Sequence, residues 1–440
     1  MSTSPPPSAI AEGEPEPRTG LGPPSHGRRG AGLSLRTFDS LGDRDFRWFY
    51  LAMLGQMAAM NMQMLARGYL AYDFTGSFAA LGAMGLANAV PMLLLSMYGG
   101  VIADRAPKKL VLQIGQLASA ALALGVGVLL LFDLLTYVHL LVAGVLQGVV
   151  MALMMPSRQS ILPEVVGMGR LMNAVSLQAA GMNLMRLAAP AAGGFMIAWI
   201  GVEAVYFLMT AMYLLAVFAL APVRLLHDVA ERAADRAAAA RRGGWASMSE
   251  GIRYMRDDRT IFVLLGVSFV ISTLAMPYML LLPGFVKEIF DGGAVELGLM
   301  ISVGGVGSLV GALVLASLPP RRRGLLLVLS GLVMGMALIG FSASPSVWIG
   351  GAFMVVVGVG SAGRQTLGNV LLQSYTENAY RGRVMSIYMT QISVMSFGAF
   401  VIGVLSELVG AQWALGGTSA LLMTVSSAYL VWVPRLRELE

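Results

Sequence analysis

Residues 99–110 read GGVIADRAPKKL and join two long apolar stretches of the chain. The two leading glycines lack side chains and can admit a neighbouring helix at close range. Asp104 is the single acid of this segment, and it stands among the bases Arg105, Lys108 and Lys109. A lone carboxylate here can lie against the positively polarised N-terminus of a partner helix and be released when that helix moves. The alternative interpretation is a short positively charged loop with an incidental aspartate.

The composition is typical of a membrane protein. Of 440 residues, 57% are hydrophobic and only 12% are charged, whereas a soluble domain carries about 25% charged residues. The apolar residues fall in long runs, which indicates a polytopic membrane protein. The net charge of +6 could suggest a nucleic-acid partner. The placement of the bases fits membrane topology instead, so we expect no nucleic acid.

Metal, thiol and enzyme chemistry find no support in the sequence. The chain has no cysteine, which excludes disulfides and thiolate sites, and its three histidines lack metal-ligand spacing. A formal GxGxxG at 358–363 lies inside an apolar run, where helix packing is the better interpretation. No GxxxxGK[ST] loop and no catalytic constellation is present. We therefore expect no metal, no cofactor, no direct use of ATP and no enzyme activity.

The apolar runs predict twelve membrane-spanning helices. A span needs about 20 residues, and runs of this length are too long for barrel strands. The predicted spans are 47–72, 79–103, 109–132, 136–160, 170–199, 204–222, 260–288, 294–318, 325–342, 347–374, 383–406 and 413–433. The predicted fold class is an all-α membrane protein with two pseudo-symmetric bundles of six transmembrane helices.

The polar segments divide the chain around these bundles. Residues 1–45 are rich in Pro, Gly, Ser and Glu and predict a disordered N-terminal tail. The remaining predicted parts are an N-terminal six-helix bundle at 46–222, a cytoplasmic linker with an amphipathic helix at 223–259, a C-terminal six-helix bundle at 260–434 and a C-terminal tail at 435–440.

The distribution of Lys and Arg predicts the orientation. The bases concentrate in the tails, the central linker and alternate loops, whereas the other loops hold only Lys287. Because cytoplasmic loops carry the excess of bases, both termini are expected to be cytoplasmic. We expect a multi-pass membrane protein, monomeric and surrounded by lipid.

The two halves also repeat one another. Residues 163–175 read PEVVGMGRLMNAV, and residues 376–388 read TENAYRGRVMSIY. Each segment places an acid, then Gly and Arg, then a Met that opens the next span. Two related halves suggest a transporter whose ligand site lies between them at the midplane.

The chain resembles the major facilitator superfamily over residues 45–433. Its hairpin Gly100-x-x-x-Asp104-Arg105-x-x-Lys108-Lys109 is similar to that superfamily's signature between spans 2 and 3. The stretches AYDFTGS, PSRQSILPE, SLQAAGMNLMRLAAPAAGG and RGRVMS resemble the branch that contains the bacterial enterobactin exporter and related efflux proteins. The resemblance implies alternating access and export of small amphipathic molecules, siderophore or drug-like. It also implies that Asp104 contacts the start of span 11 and a base at the end of span 4. The resulting gating set is Gly100, Asp104, Arg105, Lys108, Lys109 and Arg158.

Three arginines lie within the predicted spans, whereas the acids nearest the spans lie at their ends. They are Arg67, Arg186 and Arg364. Intramembrane charges are functional hypotheses by default, and helical spacing places each arginine on one face with amide side chains. The candidate substrate-binding residues are Gln63, Arg67, Asn183, Arg186, Arg364 and Gln365. The alternative is that each arginine binds backbone carbonyls or amides as structural support, which is the favoured reading for Arg67.

An unopposed positive charge predicts a ligand with anionic or hydrogen-bond acceptor groups, since Arg presents a planar fork suited to carboxylate, catecholate or phosphate. Coupling to protons needs a titrating group. None lies mid-span, so the candidates for a proton antiporter are Asp73 and Asp133 at the outer ends. Otherwise the chain is a facilitator driven by the membrane potential. Two further alternatives are a lipid or lysolipid transporter and a transport-inactive membrane receptor or scaffold.

Overall fold

The computed structural model describes residues 40–167, 170–225, 253–319, 321–377 and 380–439. The predicted disordered tail up to residue 39 and residues 226–252 of the predicted linker lie outside the described residues, whereas 253–257, within the predicted amphipathic helix, are helical. Within the described ranges, all regular secondary structure is helical.

Twelve long helices follow the order of the predicted spans. They are α1 (Arg44–Thr75), α2 (Phe78–Arg105), α3 (Lys108–Leu131), α4 (Tyr137–Ser160), α5 (Leu171–Trp199), α6 (Val202–Leu220), α7 (Arg259–Leu274, Tyr278–Gly284 and a π-helical turn Phe285–Ile289), α8 (Ala294–Ser317), α9 (Arg323–Ser342), α10 (Val347–Tyr375), α11 (Arg381–Met389 and Gln391–Val409) and α12 (Ala411–Trp432). Short helices Leu162–Val166 and Arg435–Glu438 follow α4 and α12.

Local sequence sets where the helices begin and break. The carboxylate of Asp43 accepts the backbone N–H of Asp45 at 2.9 Å and so caps α1, and Asp258 caps α7 in the same way. Gly76 ends α1 with a φ of 59°, a left-handed conformation that suits glycine. The interruption of α7 falls at Pro277, which has no N–H to continue the helix.

Ten of the described helical segments are long and apolar enough to cross a membrane, with α7 and α11 each counted as one span. The two other long helices, α1 and α5, are equally long but carry amide side chains and an intramembrane arginine each. Polar groups at this depth are costly and usually face a cavity or a protein interior. The two polar helices α1 and α5 are therefore expected to border a ligand site.

The two halves, α1–α6 and α7–α12, pack their helices in equivalent ways. In the first half α2 packs on α4, α3 on α6, and α1 on α5 and α6. In the second half α8 packs on α10, α9 on α12, and α7 on α11 and α12. These equivalent contacts are those of the predicted fold class, two pseudo-symmetric six-helix bundles.

The halves meet along two seams, α2 with α11 and α5 with α8. Glycines permit close backbone approach in both seams. In the first, a Cβ at Gly82 would lie 2.4 Å from the Cα of Phe400. In the second, a Cβ at Gly298 would lie 2.5 Å from the carbonyl oxygen of Pro190. These contacts lie near the end of the molecule that holds the connections α1–α2, α5–α6 and α7–α8. This end corresponds to the predicted outside of the membrane and is called the outer end.

Candidate functional site: a cavity between the halves

A cavity of about 330 Å³ lies between the two halves. The first half contributes α1 and α5, and the second half contributes α7, α8, α10 and α11. The two polar helices α1 and α5 therefore reach the cavity, as their composition suggests. Both interrupted helices also reach it, α7 near Met276 and Tyr278 and α11 near Met389 and Gln391.

The cavity carries positive charge on a largely apolar wall. Arg186 of α5 and Arg364 of α10 line it from opposite halves, and its described lining includes no Asp or Glu. Methionines form much of the remaining surface, namely Met60, Met64, Met276, Met279, Met354, Met389 and Met395. Methionine is flexible and polarisable, so such a wall can adapt to ligands of different shape.

Arg364 is the most buried of the lining charges. Its residue exposure is 7%, and its Nη1 donates to Oε1 of Gln391 at 2.8 Å. Its buried Nε has no hydrogen-bond partner among the described residues. Gln391 begins the second segment of α11, so the break in that helix places the amide that orients this guanidinium.

The six candidate binding residues separate into two groups. Arg186, Arg364 and Gln365 line the cavity. Gln63, Arg67 and Asn183 are not part of this lining, which leaves half of the candidate set elsewhere.

The residues outside the lining have their own surroundings. Arg67 points into the first half, where Nη1 lies 3.7 Å from the position of a Cβ on Gly144 of α4, and this buried atom has no hydrogen-bond partner in the described chain. Gln63 accepts a hydrogen bond of 3.5 Å from Tyr213 of α6. Asn183 is exposed on α5.

Several lining residues escaped sequence reasoning. Asn61, Tyr278, Tyr388 and Gln391 line the cavity, but nothing in the sequence separates them from other polar residues of their spans. Pro277 was an ambiguous signal, because a proline can interrupt a helix but Pro91 and Pro190 lie inside continuous helices. The break of α11 at Thr390 has no such marker.

Polar contacts close the outer side of the cavity. Tyr72 of α1 donates to Glu288 in α7, and Asp73 forms an ion pair with Lys287. Glu407 of α11 accepts from the Ser77 hydroxyl at 2.8 Å. The rings of Phe78 and Phe285 add an edge-to-face contact with centroids 5.9 Å apart. Asp73, a coupling candidate, thus lies in a contact between the halves.

Asp133, the second coupling candidate, has a different setting. It is exposed in the connection between α3 and α4, with a φ of 56°. It follows Phe132, which is 66% exposed. Asp133 therefore lies on the outer surface and not in the cavity lining.

The seam between α5 and α8 is packed at its outer part and separates beyond the cavity. Leu187 lies against Gly305, with 3.6 Å between the Cα and a Cβ built at the glycine. One turn further towards the inner end, Asn183 on α5 and Leu309 on α8 are exposed. These residues share the face of the packed ones by helical periodicity. The contact between the halves along this seam therefore ends near the cavity.

The hairpin at 99–110 is held mainly within the first half. The Nζ of Lys108 lies 2.6 Å from Glu164, and their side chains are only 9% and 11% exposed. The Nζ of Lys109 donates to the carbonyls of Ala221 and Val223 after α6, at 2.6 and 2.9 Å. A cation at the C-terminal end of a helix complements the helix dipole.

The remaining gating candidates are placed as follows. Arg105 is exposed, and Nη2 of Arg158 lies 3.1 Å from the sulfur of Met57. The side chain of Asp104 lies outside what the structure describes, so its predicted contacts stay predictions. Gly100 has open space beside it, whereas a Cβ at Gly99 would lie 2.0 Å from the carbonyl oxygen of Ala152. Glu164, the partner of Lys108, was not in the candidate set.

Comparison with known sequences decides the family. A sequence model of the family described as "Transmembrane secretion effector" matches residues 36–440. The chain belongs to this family. It is accordingly a multi-pass membrane transporter of the major facilitator superfamily that acts on small molecules, and not an enzyme.

Named relatives and a solved structure agree with this assignment. The staphyloferrin A transporter of Staphylococcus aureus is 24% identical over 354 residues, which cover 78% of this chain and 86% of the relative. The multidrug efflux pump Tap of Mycolicibacterium fortuitum is 26% identical over 400 residues, 88% of this chain and 95% of the relative. A crystal structure of a POT family transporter in complex with 5-aminolevulinic acid superposes with a TM-score of 0.71 at 13% identity, covering 90% and 97% of the two chains. That similarity confirms the fold.

Proposed function

We propose that this transporter exports small amphipathic molecules that carry an anionic oxygen group, such as a carboxylate or a catecholate, by alternating access. One observation carries the proposal. Arg186 and Arg364 reach a single methionine-rich cavity from opposite halves, and no Asp or Glu occurs in its described lining. Two guanidinium groups without a carboxylate in the described lining suit a ligand that supplies the negative charge.

The contacts between the halves support an alternating mechanism. The outer side is closed by Tyr72–Glu288, Asp73–Lys287 and Ser77–Glu407, whereas α5 and α8 separate beyond the cavity on the other side. Release of the outer contacts, with closure of the inner seam, would carry the cavity from one side to the other. In this proposal Asp104 and its neighbouring bases stabilise the outward-facing state, so Asp104→Asn is expected to reduce transport and leave expression unchanged.

The names of the relatives support a small ligand and an outward direction. One name refers to staphyloferrin A and another to multidrug efflux. We place the chain in a bacterial inner membrane with both termini in the cytoplasm, because the bases concentrate on that side of the predicted spans. We also propose that the protein is a monomer and that its two six-helix bundles have the predicted boundaries, 46–222 and 260–434.

The energy source is proposed from what the cavity contains. Its described lining has no carboxylate or histidine that could exchange a proton. Proton antiport, if present, would act through Asp73, since protonation of this side chain would weaken the ion pair with Lys287 at the outer side. Asp133, exposed on the surface, is the second candidate. Without either, transport follows the ligand gradient and the membrane potential.

The decisive experiment uses purified protein in proteoliposomes. Uptake is measured for three fluorescent amphiphiles that differ only in carrying a carboxylate, an amide or an amine. The carboxylate is expected to be transported best, and Arg364→Gln is expected to remove this preference. A preference for the amine would overturn the assignment of the ligand class, and no flux of any compound, with the protein folded, would favour the receptor or scaffold alternative. An imposed pH gradient with Asp73→Asn and Asp133→Asn tests coupling.

Exposed apolar side chains favour a lipid or lysolipid as the second candidate ligand. Leu184 on α5 and Leu313 on α8 are 54% and 61% exposed beyond the packed part of their seam. An acyl chain could enter there from the bilayer. Transport of a fluorescent lysolipid that exceeds transport of the soluble carboxylate would favour this function.

A further inference from the structure

Three buried polar groups without hydrogen-bond partners among the described residues lie where α7, α10 and α11 meet. They are the Nε of Arg364, the hydroxyl of Tyr388 and the hydroxyl of Ser268. The three residues are 7%, 1% and 0% exposed. Buried polar groups are nearly always hydrogen-bonded, so such a group calls for a partner of some kind.

Gly368 brings two of these groups to one place. A Cβ built at this glycine would lie 2.9 Å from the hydroxyl oxygen of Tyr388 and 3.3 Å from that of Ser268. Gly368 follows Arg364 by one helical turn on α10, so the three side chains surround a short stretch of one helix face. The absence of a side chain at position 368 lets both hydroxyls approach the backbone of α10 closely.

This group of residues is continuous with the cavity. Arg364 and Tyr388 both belong to the cavity lining, whereas Ser268 and Gly368 are not part of it. The anionic group of a ligand would therefore reach the buried hydroxyls past Arg364 and Tyr388. The Nε–H of Arg364 can only donate, and the two hydroxyls can each donate or accept. One guanidinium with two hydroxyl donors matches an anionic oxygen group such as a carboxylate or a phenolate.

The break in α11 positions one partner of Arg364. Its second segment, Gln391–Val409, starts beside this group. The side chain of Gln391 orients Arg364 at 2.8 Å. The hydroxyl of Ser272 on α7 donates to the backbone carbonyl of Gln391 at 3.5 Å, so the break is fixed to α7.

We propose that Arg364, Tyr388, Ser268 and Gly368 form an anion subsite that binds the anionic oxygen group of the ligand within the second half. The apolar body of the ligand then lies against the methionines of the cavity. Gln391 is a positioning residue that orients Arg364. The subsite rests on the proposed function only in that its ligand is the transported molecule, and its binding chemistry can be measured without any transport.

The test measures equilibrium binding to the full-length protein in nanodiscs with benzoate as the probe and benzamide and benzylamine as neutral and cationic counterparts. Benzoate is expected to bind most tightly. Tyr388→Phe removes one hydroxyl and is expected to weaken benzoate about tenfold, since a hydrogen bond to a charged group is of this order. Gly368→Ala places a methyl group against both hydroxyls and is expected to weaken benzoate at least as much.

Matched controls separate binding from stability. Gly351→Ala lies on the same helix with nothing within 4 Å of its Cβ, so it is expected to leave benzoate affinity unchanged. Gln391→Glu gives Arg364 a carboxylate partner and is expected to weaken benzoate more than it weakens benzamide. Each variant is first shown to keep the melting temperature of the ligand-free protein.

Each outcome decides the proposal. Unchanged benzoate affinity in folded Tyr388→Phe and Gly368→Ala would overturn the subsite. The two hydroxyls would then be hydrogen-bonded to water and not to the ligand. Competition by chloride and by inorganic phosphate distinguishes the sources of the anion, because a site that prefers a free inorganic anion would lose benzoate at concentrations of these ions below that of benzoate. Weakened benzoate binding together with no flux in proteoliposomes would support the subsite while overturning the proposed export.

Discussion

Lys108 and Glu164 form a nearly buried ion pair of 2.6 Å that ties the hairpin after α2 to the short helix after α4. Lys109 contacts the backbone carbonyls that follow α6. Lys108 and Lys109 of the hairpin therefore both have their partners inside the first half. The hairpin is consequently a fixed part of this half, and any movement of its Asp104 relative to the second half requires the half to move as a unit.

The first prediction concerns this ion pair. Glu164→Gln leaves the Lys108 ammonium buried without its counter-charge, and breaking a buried pair in this way costs about 3–5 kcal/mol. We expect a clear fall in the melting temperature of the detergent-solubilised protein. The double variant Lys108→Met/Glu164→Met removes both charges and is expected to recover much of the loss. Arg170→Gln, which breaks an exposed pair with Asp43, is the matched control and should change little. Equal losses in the single and double variants would contradict the assignment.

The second prediction concerns the outer ion pair between Asp73 and Lys287, whose side chains are 42% and 43% exposed. A pair of this exposure contributes about 1 kcal/mol or less, so Asp73→Asn is expected to shift the conformational equilibrium by about fivefold at most. The chain has no cysteine, which permits single-cysteine labelling. Leu309→Cys on the inner part of α8 should react more slowly with a maleimide once Asp73→Asn is added, because the inner seam closes when the outer side opens.

Two further variants test the direction of this shift. The charge reversal Asp73→Lys with Lys287→Asp should restore the original labelling rate. Glu203→Gln, an acid that begins α6 at the same end, should leave the rate unchanged. Faster labelling in Asp73→Asn would show that the ion pair does not stabilise the closed outer side.

The sequence predicts the fold well because the fold depends on averages over many residues. Twelve apolar runs predict twelve helices, and the ends agree to within a few residues, as for 294–318 against Ala294–Ser317. The halves are predicted from the repeat of loop motifs. The glycines that set the seams, such as Gly82 and Gly298, cannot be told from other glycines in the sequence, since what distinguishes them is the helix that packs on them.

The site is predicted less completely, because a side chain's direction depends on tertiary contacts. Arg364 and Arg67 look alike in the sequence, each a single base in an apolar run with a glutamine nearby. In the structure the first lines the cavity and the second points at α4 inside the first half. Gln391 reaches Arg364 only because α11 breaks at Thr390, and nothing local in the sequence marks that break.

The third prediction separates these two arginines. Nη1 of Arg67 is buried without a hydrogen-bond partner in the described chain, and replacement of a poorly compensated buried charge by an apolar side chain is often neutral or stabilising. Arg67→Met is therefore expected to keep or raise the melting temperature and to leave ligand affinity little changed. Arg364→Met, the matched substitution, should weaken an anionic ligand strongly. Comparable loss of ligand binding in both variants would return Arg67 to the binding site.

The fourth prediction distinguishes the adjacent glycines of the hairpin. A Cβ at Gly99 would lie 2.0 Å from the carbonyl oxygen of Ala152, whereas none of the surrounding atoms comes within 4 Å of a Cβ at Gly100. Gly99→Ala forces α2 away from α4, and overpacking of this kind costs about 1–3 kcal/mol. Gly100→Ala adds a methyl group in open space inside a helix, where alanine is favoured over glycine. Thermal unfolding of the two variants should thus show a loss for Gly99→Ala and none for Gly100→Ala. If Gly100→Ala keeps its stability but loses transport, this glycine serves a state of the transporter in which another helix approaches it.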